Sequence, residues 1–363
     1  MPAPPLDEPR AVREPLDRAA LAGWLHDTLG LTGELDVRQF PSGFSNLTYL
    51  VRVGGREVVL RRPPPGADVK GGHDMGREVR ILRALHGPHG GQCPVPEPLG
   101  FEETGDVLGA PFYVMERVEG AILRSTMPDA QRPGAAEMAT VADAFVQTFA
   151  RLHAVDLDAV GLADFGKPEG YVRRQIDGWH RRYLRARTDE LPELEYAFAW
   201  LDEQPPPKAD AAGAALIHND YKYDNLVLDP ADLGRVRAVL DWELATVGAP
   251  LMDLGSALGY WVEADDHPAL QALALSPTWW PGNPTRDELV QRYAAATGRR
   301  VDDAVAYFVY GLVKLAVIAQ QIYARWKAGH ATDPRFEGLI YTVRACGETA
   351  SLAIERRRLS DLF

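Results

Sequence analysis

A change of hydrophobic period partway along this 363-residue chain limits its fold more than any other feature. Before about residue 118, three alternating segments at 35–40, 47–53 and 57–62 read as strands, 99–103 and 111–118 are two further strand candidates, and Gly54-Gly55 supplies a tight turn between the second and third segments. Alternation sends successive side chains to opposite faces of a strand. From residue 135 onward the spacing becomes helical, over 135–154, 170–188, 250–263, 285–297, 301–328 and 334–357, with short strands near 226–229 and 236–241. Helical patterns at 17–29 and 71–86 lie among the early strands. This division predicts an α+β fold in two lobes: a small mixed β/α lobe over 1–117, with a Pro-rich leader at 1–16, and a larger, mainly helical lobe over 118–363. At 46% hydrophobic residues, a chain of this length can bury two cores without covalent staples.

Charge and cysteine content narrow the function classes. A formal net charge of −12 opposes nucleic acid or an anionic membrane as the principal partner. The two cysteines, Cys93 and Cys346, are far apart and have no paired spacing, so neither a disulfide framework nor a structural zinc site is supported. The first residues mix proline with both charge signs, and the longest apolar stretch, near 312–319, is too short to span a bilayer. The expectation is a cytoplasmic protein whose partner is a small molecule.

The chemistry concentrates in LIHNDYKYDNLVLDP at 216–230, where His218, Asp220 and Asn225 stand in the order H-x-D-x-x-x-x-N used by phosphotransferase catalytic loops. Phosphoryl transfer needs a carboxylate near the attacking hydroxyl and a neutral amide oxygen on a nearby metal ion, both on one short loop. Asp220 is the candidate base and Asn225 a candidate metal ligand. Lys222, two residues past Asp220, suits charge developing on the transferred phosphate. His218 reads as architectural. Next, VRAVLDWELATVGAPLMDLG at 236–255 is a strand running into Asp241, a carboxylate suited to magnesium and hence the second candidate ligand. Asp253, on the helix that follows, reads as an acceptor for backbone N–H groups of the loop, or as an ordinary surface carboxylate.

HNDYKYDN, LDWE and PLMDLG in this order resemble the aminoglycoside-phosphotransferase and choline-kinase branch of the protein-kinase-like fold, over about 37–353. Within that branch the chain looks closest to the kinase-like domains associated with acyl-CoA dehydrogenases. The resemblance implies ATP and Mg²⁺ as cofactors and a small-molecule hydroxyl as phosphate acceptor. It also implies a phosphate-covering loop containing Ser42, Gly43, Ser45 and Asn46. Arg61 then stands in the place of the usual phosphate-binding lysine, with Glu78 as its partner, and Arg62 is the alternative if strand parity runs one residue out. The Glu116–Val118 linker would read the adenine edge through its backbone. Two departures stand out: Trp242-Glu243 replaces Phe-Gly, which argues against a protein-kinase activation loop, and Ala249 precedes Pro250 where relatives commonly carry Asp. His153 reads as a satisfied helix-terminal histidine.

Two features bear on the acceptor. Arginines at 173, 174, 181, 182, 185 and 187 form a basic run in which Arg173, Arg181 and Arg182 are candidate contacts to a phosphate-bearing acceptor such as a hydroxyacyl-CoA. Glu263 and Asp266 instead suit a cationic acceptor, an aminoglycoside or amino alcohol. Both sets also fit solvated surface charge. A catalytically dead nucleotide-binding module is the rival reading, for which the arginine at 61 is the supporting observation.

Overall fold

In the computed structural model, residues 8–13, 16–41, 46–66, 73–91, 93–206, 213–331 and 333–363 are described. The expected loop residues Ser42, Gly43 and Ser45 lie outside them. The chain forms two compact units, one of residues 1–119 with 237–244 and one of 120–236 with 245–363. The expected division at 117/118 assigned 237–244 to the helical part. The structure places that segment in the first unit, where the Val239 N–H donates to the Pro94 carbonyl at 2.8 Å.

The first unit is built on an antiparallel sheet in the order β1-β2-β3-β4-β6-β5. Its strands are β1 (Arg10–Ala11), β2 (Leu35–Gln39), β3 (Leu47–Val53), β4 (Arg56–Arg62), β5 (Pro98–Glu102) and β6 (Phe112–Glu116). Both glycines of the β3–β4 turn have positive φ, 55° and 86°, which a side chain would strain. Alternation then sorts the faces. Val58 and Leu60 of β4, with Phe112 and Val114 of β6, pack in one cluster with Leu21 and Leu25 of helix α1 (Arg18–Leu29). Val59, Arg61 and Tyr113 therefore point to the other face, toward Glu78 of α2 (Met75–His86). Asp17 and Asp74 cap these two helices by accepting backbone N–H bonds.

The second unit comprises α3 (Ala135–His153), α4 (Tyr171–Ala186), α5 (Pro192–Glu203), β7 (Ala215–Ile217), β8 (Leu226–Asp229), β9 (Asp232–Val239, whose last residues enter the first unit), β10 (Thr246–Gly248), α6 (Pro250–Tyr260), α7 (Pro268–Leu273), α8 (Arg286–Thr297), α9 (Ala304–Lys327) and α10 (Leu339–Arg356). Strand β7 pairs antiparallel with β10, and β8 with β9. Helix α9 has the length and composition to cross a membrane, yet most of it is buried among α4, α6 and α10, as in a core helix. The loop between β7 and β8 carries the motif at 218–225.

Candidate active site

In the first unit, the alternation of β4 brings Arg61 to carboxylates from two other segments. Its Nε lies 3.1 Å from Glu78 Oε2 and its Nη2 2.9 Å from Glu243 Oε2, while Nη2 also donates to Asp241 Oδ1. Arg62 is on the opposite face, buried, with its Nε 3.4 Å from the Pro63 carbonyl. Asn46 donates to Glu243 at 2.8 Å and to Glu78 at 3.3 Å, and its Oδ1 is 2.9 Å from His73 Nδ1. Tyr113 OH donates to Glu78 at 2.8 Å. One guanidinium thus faces three carboxylates. Burial, only partly countered by Arg61, pushes the Glu78 carboxyl up to about 7. Asp241 has a φ of 67°, a left-handed conformation that non-glycine residues adopt at a local energetic cost. Such a surplus of negative oxygen suits a divalent cation, and a carboxylate such as that of Asp241 is a hard donor of the type magnesium prefers. Among the described residues no group of three or more His, Cys, Asp or Glu forms a self-contained metal cage. Glu116 ends β6 with its N–H bonded to the Glu97 carbonyl at 2.8 Å, and Val118 follows in the irregular stretch beyond it.

In the second unit the polar loop is held chiefly through its backbone. Asp253, at the start of α6, accepts the N–H groups of His218 and Asn219 on its two oxygens, each at 2.7 Å. His153 Nε2 lies 3.1 Å from the same carboxylate, and its Nδ1 is 2.7 Å from Tyr293 OH. Burial would raise the Asp253 carboxyl, but the His153 hydrogen bond and the loop N–H groups hold it below the usual range. Burial also lowers His153, partly opposed by the Asp253 carboxylate. His218 Nδ1 accepts from the Asp220 N–H at 3.2 Å, an architectural contact.

The Asp220 carboxylate lies 2.8 Å from Lys222 Nζ and 3.1 Å from Asn225 Nδ2, which also donates to the Asp220 carbonyl at 2.8 Å. Committing the amide nitrogen to Asp220 turns the Asn225 oxygen away from it, a neutral hard donor compatible with magnesium. Burial opposes ionisation of Asp220, but Lys222 outweighs it and holds the carboxyl below its ordinary value. Lys222 is raised despite burial, chiefly by Asp220. It also lies 3.9 Å from Asp224 and 4.8 Å from the ring centre of Tyr260. The intervening tyrosines anchor the loop: Tyr221 stacks on Phe149 at 4.3 Å and donates to the Phe145 carbonyl at 2.9 Å. Tyr223 OH is 2.8 Å from Asn283 Oδ1. Sequence reasoning gave no site role to Tyr113, Tyr260 or Asp224, and noted Glu243 only as a departure beside Trp242, because each is identified by its spatial partner.

The acidic acceptor clue does not survive. Glu263 and Asp266 are buried around Arg286: Glu263 accepts the Arg286 N–H at 2.5 Å and Ser360 Oγ at 2.8 Å, and Asp266 accepts Arg286 Nη2 and the Glu263 N–H. Buried, mutually paired charges of this kind are structural. The basic run is also partly spent. Arg173 pairs with Asp177 and Asp202, Arg187 with Glu195, and Arg174 donates to the carbonyls of Lys167 and Glu169. Arg181 and Arg182 are exposed on α4 and have no carboxylate partner among the described residues, Arg182 lying 4.6 Å above the Trp179 ring.

The family model described as the phosphotransferase enzyme family matches residues 36–308. Acyl-CoA dehydrogenase family member 11 of Gallus gallus is 36% identical over 304 residues, covering 83% of this chain and 38% of that protein. The chain spans well under half the length of the curated relatives it matches. A crystal structure from Ralstonia eutropha, provisionally described as an aminoglycoside phosphotransferase, is 31% identical with a TM-score of 0.78, covering 94% of this chain and 99% of its own. A thermostable mutant of aminoglycoside phosphotransferase APH(4)-Ia, in a ternary complex with ADP and hygromycin B, shares the fold at 16% identity and a TM-score of 0.57, covering 90% of this chain and 96% of its own.

Proposed function

This chain belongs to the phosphotransferase enzyme family, and we propose that it uses Mg-ATP to phosphorylate a hydroxyl of a small molecule, with an anionic hydroxyacyl-CoA as the favoured acceptor. The observation that carries the reading is the Asp220 carboxylate, held ionised between Lys222 and Asn225 on a loop whose backbone is fixed from behind. Asp220 takes the proton of the acceptor hydroxyl as that oxygen bonds to the γ-phosphorus and the bond to the β-phosphate's bridging oxygen breaks. Lys222 balances charge on the moving phosphoryl group. Magnesium, when bound, neutralises charge on the nucleotide phosphates, and the residues proposed to ligate it are Asp241 and Asn225, each on the evidence of its own surroundings. Ser42, Gly43, Ser45, Asn46 and Arg61 are assigned to the phosphates, Glu78 to holding Arg61, and the backbone of Glu116 and Val118 to the nucleobase. The APH(4)-Ia complex with ADP, in the same fold, supports a nucleotide.

For the acceptor, loss of Glu263 and Asp266 as candidates leaves the basic clue at Arg181 and Arg182. The acyl-CoA in the name of the Gallus gallus relative points the same way. An amine-bearing sugar is the second reading, favoured by the description of the Ralstonia eutropha structure. The test compares hydroxyacyl-CoA, its pantetheine analogue and aminoglycosides in wild type and in Arg181→Glu, Arg182→Glu. Selective loss of affinity for the full CoA ester, mimicked by salt, supports the thioester reading. Turnover of aminoglycosides alone replaces it with the second.

A further inference from the structure

Helix α9 carries a single charged residue, Lys314, within VAYFVYGLVKLAVIAQQIY, and that residue is only 3% exposed. A lysine stays inside a core only where its ammonium is bonded. Here Nζ donates to the carbonyl of Asn219 and to Ser256 Oγ, the latter at 3.0 Å. Asn219 immediately precedes Asp220 and has a φ of 65°, left-handed for a residue with a side chain. Such a conformation persists only when its surroundings over-determine it. Three groups do so: Asp253 takes the Asn219 N–H, Tyr171 OH lies 3.2 Å from its Oδ1, and Lys314 takes its carbonyl.

The reach of Lys314 depends on how α9 meets α6. The helices touch backbone to backbone at three glycines. A Cβ on Gly311 would lie 1.9 Å from the Gly255 carbonyl oxygen, one on Gly259 2.6 Å from the Gly311 carbonyl carbon, and one on Gly255 2.3 Å from the Tyr307 oxygen. Lys314 is one turn beyond Gly311 on the same side of the helix, so this crossing brings its ammonium to Ser256 and the loop.

We propose that Lys314 is a positioning residue for phosphoryl transfer, fixing the Asn219–Asp220 peptide and hence the direction of the Asp220 carboxylate. This rests on the reading of Asp220 as the base. Burial lowers the Lys314 ammonium to about 8, opposed by Asp220 and Asp253 and reinforced by Lys222 and Arg182. Tyr310, on its own helix, Tyr171, on α4, and His218 lie among the titratable groups coupled to Asp253 there. The charge is present below about pH 8 and lost above it.

The test uses the full chain. Lys314→Met, similar in length, should lower kcat by about 100-fold with the KM for ATP within about threefold, because the base is misdirected and the nucleotide is not. Amide hydrogen exchange at Asn219 and Asp220 should quicken by about tenfold or more. In wild type, kcat should fall as pH rises through about 8, and Lys314→Arg, charged throughout, should remove that fall. If Lys314→Met fails to fold, Ser256→Ala, which leaves the lysine with one acceptor, should lower kcat by about tenfold and still quicken exchange at Asn219 and Asp220 by about threefold. Exchange at Asn219 and Asp220 unchanged in a folded variant, or kcat within threefold of wild type, overturns the assignment. Should wild type phosphorylate no acceptor at all, the proposed function fails and the exchange measurement still decides the role of Lys314.

Discussion

The surroundings of Arg61 and those of Asp220 are both buried and rich in charge, yet they are held in opposite ways. Around Asp220 the scaffold acts on the backbone: Asp253 takes two N–H groups and Lys314 a carbonyl, while Lys222 balances the carboxylate. Around Arg61 the bonds run between side chains, and one cation meets Glu78, Asp241 and Glu243. The first arrangement suits a group that must point in one direction through a reaction. The second suits groups that rearrange when another cation arrives, since side-chain bonds exchange at little structural cost and the charge balance improves. The backbone clamps thus surround the residue proposed as the base, and the carboxylate surplus surrounds those proposed for the metal and the phosphates.

Variants that remove one side of this contrast should behave differently. The largest binding effect is expected for Asp241→Ala, which deletes the anionic oxygen proposed for magnesium: calorimetric titration of ATP should show its magnesium-dependent affinity fall by about 100-fold, roughly one strong charge-assisted ligand. Unchanged magnesium dependence would place the ion elsewhere. Asp253→Ala should instead act on folding, costing about 3 to 5 kcal/mol in chemical denaturation because a buried, bonded charge is removed from its partners. A loss under 1 kcal/mol would mean the loop is held by other contacts. Arg61→Ala should raise the KM for ATP by about tenfold and lower kcat, with Arg61→Lys recovering most of both. If Arg62→Ala is the more damaging change, the nucleotide face of β4 has been misassigned.

The smallest effect concerns pH. Glu78 is raised from an ordinary 4.5 to about 7, first by burial, so the folded state holds its proton where the unfolded chain has released it. Its contribution to stability is thus present below about 4.5 and lost as pH rises through about 7. Denaturation curves of wild type and Glu78→Gln should diverge over that window, wild type weakening relative to the variant. Parallel curves would show that Glu78 stays ionised.

Much of this was legible from periodicity and local order. Alternation in β4 put Arg61 and Arg62 on opposite faces, and the β3 and β8 boundaries agree with the expected segments. Asp253 was readable because its partners lie in a motif with its own logic. Short strands such as β1, β7 and β10, two or three residues each, carry too few alternations to register. Helix α5, absent from the expected helices, did carry a signal in apolar residues at 194, 197, 198 and 201. Glu263 and Asp266 were misread because Arg286, which pairs with them, is some twenty residues away at the start of α8 while they lie in the loop after α6. The converse holds for Lys314: a lone charge in an apolar helix is visible in the sequence, whereas its target, the Asn219 carbonyl, is not.

The central claim, that Asp220 receives the proton of an acceptor hydroxyl, is tested most directly by single-turnover phosphorylation of a hydroxyacyl-CoA with Mg-ATP in wild type and Asp220→Asn, followed by phosphorus NMR. The account predicts a new phosphate monoester in wild type. In the variant it predicts formation slowed by about a thousandfold, with ATP affinity within a few-fold, since the amide keeps the shape but cannot take the proton. Monoester formation at a similar rate in both proteins would contradict it.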